Sequence, residues 1–141
     1  MSPDDLVAIE EIKQLKARYF RFMDTKQWDA WGSVFAVDCV MEVPEADMVS
    51  RGREEIVRSV STVLEGTVTC HHGHMPEIEI VAPGRARGTW AMFDYVEWPK
   101  PDGPRAGLQG YGHYHEEYVH EDGAWRIAHM RLERLRVDPL G

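Results

Sequence analysis

SPDDLVAIEEIKQLKARYFRFMD, residues 2–24, is the stretch that decides the class of fold. Ser2 suits the N-cap of a helix, Pro3 suits its first turn, and Asp5 stands three residues after the cap. Apolar side chains follow at the three- and four-residue spacing that places them on one helix face. They are Leu6, Ile9, Ile12, Leu15, Tyr19 and Phe22. The pattern predicts a long helix that ends near Asp24 and packs this face on a core.

Positive charges are placed to support the same helix. Cations in the second half of a helix interact favourably with the negative end of its dipole. The cations there are Lys13, Lys16, Arg18 and Arg21.

Three further elements are predicted between this helix and the middle of the chain. WDAWGSVFA, residues 28–36, spaces its aromatic residues as a second, short helix would. CVMEVP, residues 39–44, is typical of a strand that stops at its proline. RGREEIVRSVSTVLEG, residues 51–66, predicts a third helix with Gly66 as its stop.

Beyond Gly66 the hydrophobic period changes to the alternation that is typical of strands. The predicted strands are MPEIEIVAP (75–83), RARGTWAMFDYVEW (85–98), LQGYGHYHEEYV (108–119) and AWRIAHMRLERLRV (124–137). KPDGPRAG, residues 100–107, indicates a loop, and Asp122-Gly123 indicates a hairpin turn. Helices followed by an antiparallel meander predict an α+β fold, with the N-terminal helices packed on one face of a curved, mostly antiparallel sheet.

The bulk composition excludes several classes of partner. The chain has 141 residues with a formal net charge of −8, and no basic stripe is visible. This argues against a nucleic-acid partner and against an anionic membrane surface. Cys39 and Cys70 form no CxxC pair, and neither a signal peptide nor an apolar run of membrane-spanning length is visible. We therefore expect a cytoplasmic protein.

Histidine-rich stretches raise the question of a metal site. TCHHGHMPEIEI, residues 69–80, carries three histidines, but zinc sites usually add ligands at a recognisable spacing. His113, His115 and Glu117 alternate, so one strand face would carry all three, which resembles the HxH of cupin metal sites. The early glutamate and the helical N-terminal half depart from that pattern. The alternative is a polar strand face that meets solvent or another subunit.

Two other kinds of site depend on pairs of side chains. A nucleophilic Cys70–His71 pair is disfavoured because neighbouring residues of a strand point to opposite faces. Asp24 could be an ordinary turn residue after the first helix. It could equally reach into a cavity between helix and sheet, where a buried carboxylate needs a partner such as an imidazole from a neighbouring strand.

The chain resembles a known family over nearly its whole length. Residues 9–42 carry a helix with a tyrosine near its end, then an Asp, a Trp, a Phe and an acidic residue before a strand. Residues 71–96 and 112–135 continue the pattern. The chain is similar to SnoaL-like proteins of the nuclear transport factor 2-like (cystatin-like cone) superfamily. The resemblance implies that residues 1–141 form a single SnoaL-like domain, in which the helices and the strongly curved sheet form a cone with an internal pocket.

The most similar branch contains scytalone dehydratase, bile acid 7α-dehydratase and hexachlorocyclohexane dehydrochlorinase. These enzymes use an Asp–His dyad without a metal or organic cofactor, and the resemblance places that dyad on Asp24 and His71. His72 is the alternative if the register differs by one residue. Where scytalone dehydratase has a tyrosine before the aspartate, this chain has Met23, and Tyr19 is the nearest substitute. We expect His72 to point away from the pocket and His74 to lie in a loop near its mouth.

The expected substrate-binding residues come from strand parity and from the resemblance. Parity places Trp90, Met92 and Asp94 on one face, and Gly110, Gly112 and Tyr114 on one face of a second strand. We expect that face to be concave, with the glycines leaving room. The resemblance adds a cavity arginine or second histidine, for which His129, Arg131, His113 and His115 are candidates. The predicted substrate-binding set is Tyr19, Trp90, Met92, Asp94, Tyr114 and Arg131.

These residues together predict a cofactor-independent lyase or isomerase of dehydratase or cyclase type. His71 would take a proton from a hydrophobic, ring-containing small molecule, and Asp24 would orient the imidazole. One alternative is a binding protein of the same fold without turnover. Another is a metal-dependent enzyme that uses His113, His115 and Glu117. The resemblance also implies a homodimer or homotrimer formed through the convex face of the sheet.

Overall fold

The computed structural model describes residues 1–103 and 105–141. Pro104, in the predicted loop 100–107, lies outside the described residues. The helices are α1 (Pro3–Asp24), α2 (Trp28–Gly32) and α3 (Arg53–Val63), with a short 3-10 turn at Pro44–Ala46. The strands are β1 (Phe35–Val43), β2 (Met48–Arg51), β3 (Val68–Ala82), β4 (Arg85–Trp98), β5 (Ala106–Glu121) and β6 (Ala124–Pro139).

Helix α1 begins and ends as its sequence predicts. The side chain of Ser2 accepts a hydrogen bond from the backbone N–H of Asp5, and the Asp5 carboxylate accepts one from the backbone N–H of Ser2, which completes a capping box. The buried face is narrower than the predicted stripe, since Leu6 is exposed. That face consists of Ile12, Leu15, Lys16, Tyr19 and Met23. Lys26, two residues after the helix, has a φ of +60° and turns the chain towards α2.

The region between α1 and β3 differs from the prediction in three respects. Helix α2 ends at Gly32, where both the hydroxyl and the backbone N–H of Ser33 donate to the Ala30 carbonyl. Strand β1 then begins at Phe35. Strand β2 was not predicted, because its four residues are too few to show a clear period. Helix α3 is shorter at both ends than the predicted range 51–66.

One six-stranded sheet contains every strand of the described chain, in the order β2-β1-β6-β5-β4-β3. Only the β1–β6 pairing is parallel. Register shifts interrupt the β3–β4 and β5–β6 ladders, and irregularities of this kind bend a sheet. The predicted hairpin is present, with positive φ at both Asp122 and Gly123. The predicted α+β fold, with helices on a curved and mostly antiparallel sheet, is confirmed.

The core lies between α1 and the inner face of the sheet. Its largest side chains form a chain of aromatic contacts that joins α1, α2, β1 and β5. Tyr19 contacts Trp31, Phe35 and Tyr114 with ring centroids 5.7–6.0 Å apart. Within the described chain, no helix is both long and apolar enough to cross a membrane.

A charged pair is enclosed in this core. Lys16 Nζ lies 2.7 Å from Glu116 Oε2, and both side chains are fully buried. The ammonium also lies 3.6 Å from the centroid of the Tyr114 ring. Burial lowers the pKa of Lys16 to about 8, against the opposing effect of Glu116. Lys16 is therefore part of the packed face of α1 and is more than a favourable charge for the helix dipole.

Candidate active site

Asp24 and His71 meet where the end of α1 crosses β3. His71 points to the inner face of the sheet, and its Nδ1 lies 2.7 Å from Oδ1 of Asp24. The backbone N–H of His71 donates to the other carboxylate oxygen, Oδ2, at 2.8 Å. Both oxygens of Asp24 are therefore held by one residue. A carboxylate beside Nδ1 favours the proton on that nitrogen and leaves Nε2 free to accept one.

A second layer of hydrogen bonds holds Asp24 from the other side. The hydroxyl of Thr69 donates to Asp24 Oδ1 at 2.9 Å, and Lys26 Nζ donates to the Thr69 hydroxyl at 2.8 Å. Partial burial lowers the pKa of Lys26, and the nearby Asp24 carboxylate opposes the shift. Strand β3 provides both Thr69 and His71 because alternate residues of a strand share a face.

Asp94 and Arg134 lie on the opposite side of the imidazole. Asp94 Oδ2 is 3.8 Å from Nε2 of His71 and accepts a hydrogen bond from Nη2 of Arg134. Arg134 Nη1 donates to Glu45 Oε1 at 2.5 Å. Burial would lower the pKa of Arg134, but the two carboxylates outweigh it and raise that pKa. The guanidinium is therefore a permanent positive charge beside the imidazole.

A cavity of about 280 Å³ borders these groups. Its polar lining comes from His71, Asp94 and Arg134, and two tyrosines, Tyr19 and Tyr114, also border it. Burial raises the pKa of both phenols, so they stay neutral donors at physiological pH. Most of the remaining lining is apolar and includes Met23, Met41, Met48, Leu64, Val96 and Leu132. A small apolar cavity with a few converging polar groups is typical of a small-molecule site.

The structure brings together some of the predicted site residues and not others. Tyr19, His71, Asp94 and Tyr114 line the cavity. Trp90 and Met92 are buried on the same face of β4 but are outside the lining, and the Trp90 indole donates to the Tyr118 hydroxyl. The predicted concave face is therefore correct for β4, although only its Asp94 end reaches the cavity.

The expected role of Arg131 does not fit its position. Arg131 is exposed on the outer face of β6, whereas Met130 and Leu132 are buried on the inner face. Arg134 shares the inward parity of these two residues and supplies the cavity guanidinium that Arg131 was expected to supply. The alternation of Met130 and Leu132 with Arg131 and Glu133 is the signal that could have identified it.

Gly110 makes room for this charged pair. A Cβ at Gly110 would lie 2.2 Å from Oδ1 of Asp94 and 2.6 Å from Nε of Arg134. The space that its missing side chain leaves is therefore filled by Asp94 and Arg134. A Cβ at Gly112 would instead meet the backbone of Glu133, at the register shift between β5 and β6.

The other histidines lie outside the cavity. His72 is exposed on the outer face, as expected. The prediction that His74 lies in a loop is wrong, because β3 begins seven residues earlier than predicted and pairs His74 with Ala91 of β4. Cross-strand pairing thus extends through a stretch whose sequence shows no alternation.

The outer face of the sheet carries the residues of the metal hypothesis. His113, His115 and Glu117 all point to that face. Over residues 1–103 and 105–141, no three side chains of metal-binding type come together. A depression of about 610 Å³ is lined by several acidic side chains together with Arg87, His115 and His129. It is larger than the inner cavity, but neither Asp24 nor His71 borders it, so we place the candidate site at the inner cavity.

Sequence comparison relates the chain to one family. The model of the SnoaL-like domain matches residues 4–131. A relative from Gibberella zeae, named "probable cyclase FGR4", is 26% identical in an alignment of 134 positions that covers 88% of this chain and 89% of that protein.

Comparison with solved structures finds the same fold in proteins named as enzymes. The "putative scytalone dehydratase" of Novosphingobium aromaticivorans is 20% identical, with a TM-score of 0.87 over 98% of this chain and 91% of that chain. The LinA-type3 hexachlorocyclohexane dehydrochlorinase of Novosphingobium barchaimii is 19% identical, with a TM-score of 0.80 over 98% and 93%. At these identities the likeness shows a shared fold.

Proposed function

This chain belongs to the SnoaL-like domain family, and from that premise we propose that it is a cofactor-independent lyase or isomerase. The observation that carries the proposal is the His71 imidazole, held at Nδ1 by Asp24 while Nε2 faces a largely apolar cavity. The relatives named as a cyclase, a dehydratase and a dehydrochlorinase support the same class. We further propose that residues 1–141 form one such domain.

The proposed chemistry begins with a proton transfer from carbon. Nε2 of His71 takes a proton from a carbon next to a carbonyl or similar activating group, and the electrons of the C–H bond form a double bond. A leaving group on the neighbouring carbon departs with its bonding electrons, or the proton returns to another carbon and the product is an isomer. Asp24 stabilises the imidazolium that forms. A positioned base of this kind contributes about 10²–10⁴-fold to the rate.

The other cavity groups have proposed roles in binding. Tyr114 and the remaining N–H groups of Arg134 can donate hydrogen bonds to an oxygen of the substrate. The Tyr19 hydroxyl, which donates to Met130 Sδ at 3.6 Å, would exchange that weak bond for one to the substrate. Asp94 holds Arg134 in place and faces Nε2 of His71. The apolar lining favours a hydrophobic, ring-containing molecule. Trp90 and Met92, on the same face of β4 as Asp94, would pack behind the cavity wall without direct contact with the ligand.

The proposal extends to the cellular location and the oligomeric state of the protein. We propose a cytoplasmic homodimer or homotrimer, formed through the outer face of the sheet. The mixture of aromatic, histidine and charged side chains on that face is compatible with a subunit contact.

A substrate screen with matched variants tests the function. Wild-type protein is incubated with cyclic β-hydroxy ketones and β-halo ketones, and loss of water or hydrogen halide is followed by mass spectrometry. We expect His71→Gln and Asp24→Asn to lose about 10²-fold or more of the activity. His72→Gln is the control, because it changes the neighbouring histidine on the opposite face. Turnover that survives His71→Gln would contradict the proposal, and ligand binding without turnover would favour the binding protein.

A further inference from the structure

The polar end of the cavity carries more negative than positive charge. Asp24, Asp94 and Glu45 contribute three carboxylates, and Arg134 contributes one guanidinium. Lys26 lies behind Asp24, hydrogen-bonded to Thr69, and does not line the cavity. A ligand in the cavity therefore meets an arginine whose charge is already balanced within the protein.

Both terminal nitrogens of Arg134 already donate to carboxylates of the protein. Nη1 is held by Glu45 and Nη2 by Asp94, on two different carboxylates. Nε is buried without a partner and faces Gly110, at the wall of β5. Bidentate recognition of an anion needs two parallel N–H groups on one edge of the guanidinium. An anion that approached these groups would share the guanidinium with Glu45 and Asp94, whose negative charges already balance it.

Electrostatics and desolvation disfavour an anion for two further reasons. A carboxylate or phosphate group near His71 would lie close to Asp94, and like charges at short distance repel strongly when water is excluded. The rest of the lining is mostly apolar, so an anion would also lose its hydration without gaining a free cation. A neutral carbonyl has neither cost, since it can accept one N–H of Arg134 or one phenol.

We infer that this cavity selects uncharged ring compounds with a hydrogen-bond acceptor and rejects their carboxylate and phosphate counterparts. The inference deepens the proposed function, since only that function makes the ligand a substrate. Glu45 is the residue that sets the selectivity, because it neutralises the outer N–H group of Arg134 at the rim. Its side chain is 36% exposed, so it can be changed without opening the core.

A pair of probes of equal shape tests the inference. 2-Naphthamide carries a neutral amide where 2-naphthoate carries a carboxylate. Isothermal titration calorimetry at pH 7.5 measures the Kd of each probe for the full chain. We expect wild-type protein to bind the amide at least about tenfold more tightly. Glu45→Gln should reduce this ratio several-fold by improving the binding of naphthoate. Glu10→Gln removes the same charge from an exposed position on α1 and should leave the ratio unchanged.

Each other outcome counts against the inference. Equal or tighter binding of naphthoate by wild-type protein would overturn it, as would failure of both probes to bind. An equal effect of Glu10→Gln and Glu45→Gln would show that the selectivity depends on the net charge of the protein and not on Glu45. The test is independent of turnover: selective amide binding in a protein that catalyses nothing preserves the inference and refutes the enzyme. Turnover together with a preference for naphthoate would support the enzyme and refute the inference.

Discussion

Two pairs of hydrogen-bonded polar side chains join α1 to the sheet, and they differ in what their polar atoms can still do. Lys16 and Glu116 lie fully enclosed, with every contact supplied by the protein. Asp24 and His71 make an equally short contact, but Nε2 of the imidazole faces a cavity. Burial and a short distance are therefore not enough to distinguish the proposed catalytic pair from a structural one. The distinguishing feature is an atom that can still exchange a proton with a ligand.

Removing one partner of the enclosed pair gives the largest expected change in stability. Lys16→Met keeps most of the volume of the side chain but leaves Glu116 charged and buried. We expect a loss of about 3–5 kcal/mol in the free energy of unfolding, measured by urea denaturation. The double variant Lys16→Met with Glu116→Gln removes both charges and should recover most of that loss. A single variant as stable as wild type would show that the pair is not structurally important.

The pH dependence of stability should also report the enclosed pair. Because burial lowers the pKa of Lys16 from 10.5 to about 8, the unfolded chain binds more protons than the folded chain between these values. The contribution of Lys16 to the free energy of unfolding should therefore rise from pH 8 to pH 10.5. The neutral amine still donates to Glu116, which methionine cannot do. Urea denaturation across this range, compared with the double variant, isolates the effect, and a falling difference would contradict it.

A smaller change in stability is expected at Thr69, whose hydroxyl supports the Asp24–His71 pair. Thr69→Val removes the hydroxyl that donates to Asp24 and keeps the shape of the side chain. We expect a loss of about 0.5–1.5 kcal/mol in unfolding free energy, because one hydrogen bond to a partly buried carboxylate is lost. Thr69→Ser keeps the hydroxyl and should restore most of the stability. If valine and serine behave alike, the hydroxyl contributes nothing to holding Asp24.

Local patterns predicted the fold where one period runs through a whole element. Helix α1 has a capping box and a sustained apolar face, and β4 alternates from end to end, so both were predicted with nearly correct limits. Strand β2 has only four residues, and the first half of β3 carries no alternation. Their structure depends on pairing with β1 and β4, which a local pattern cannot show.

The site is harder than the fold to predict from sequence, because it depends on residues that are far apart in the chain and on the register of the strands. Asp24 and His71 are 47 positions apart, and the family resemblance suggested their pairing where spacing could not. The sequence alone does not show which face of β6 points inward, so it gives no reason to prefer Arg134 over Arg131. It also cannot distinguish Lys16 from the other helix cations, because Glu116, its partner, lies 100 residues away.

The central claim is that Asp24 fixes the tautomer of His71 so that Nε2 can act as a base. Nitrogen-15 NMR of the histidine rings at neutral pH measures this directly, because protonated and unprotonated ring nitrogens have well-separated shifts. We predict that His71 in the wild type carries its proton on Nδ1, and that Asp24→Asn shifts the proton towards Nε2 while the His72 signals stay unchanged. A His71 ring protonated on Nε2 in wild type, or identical in both proteins, would contradict the claim.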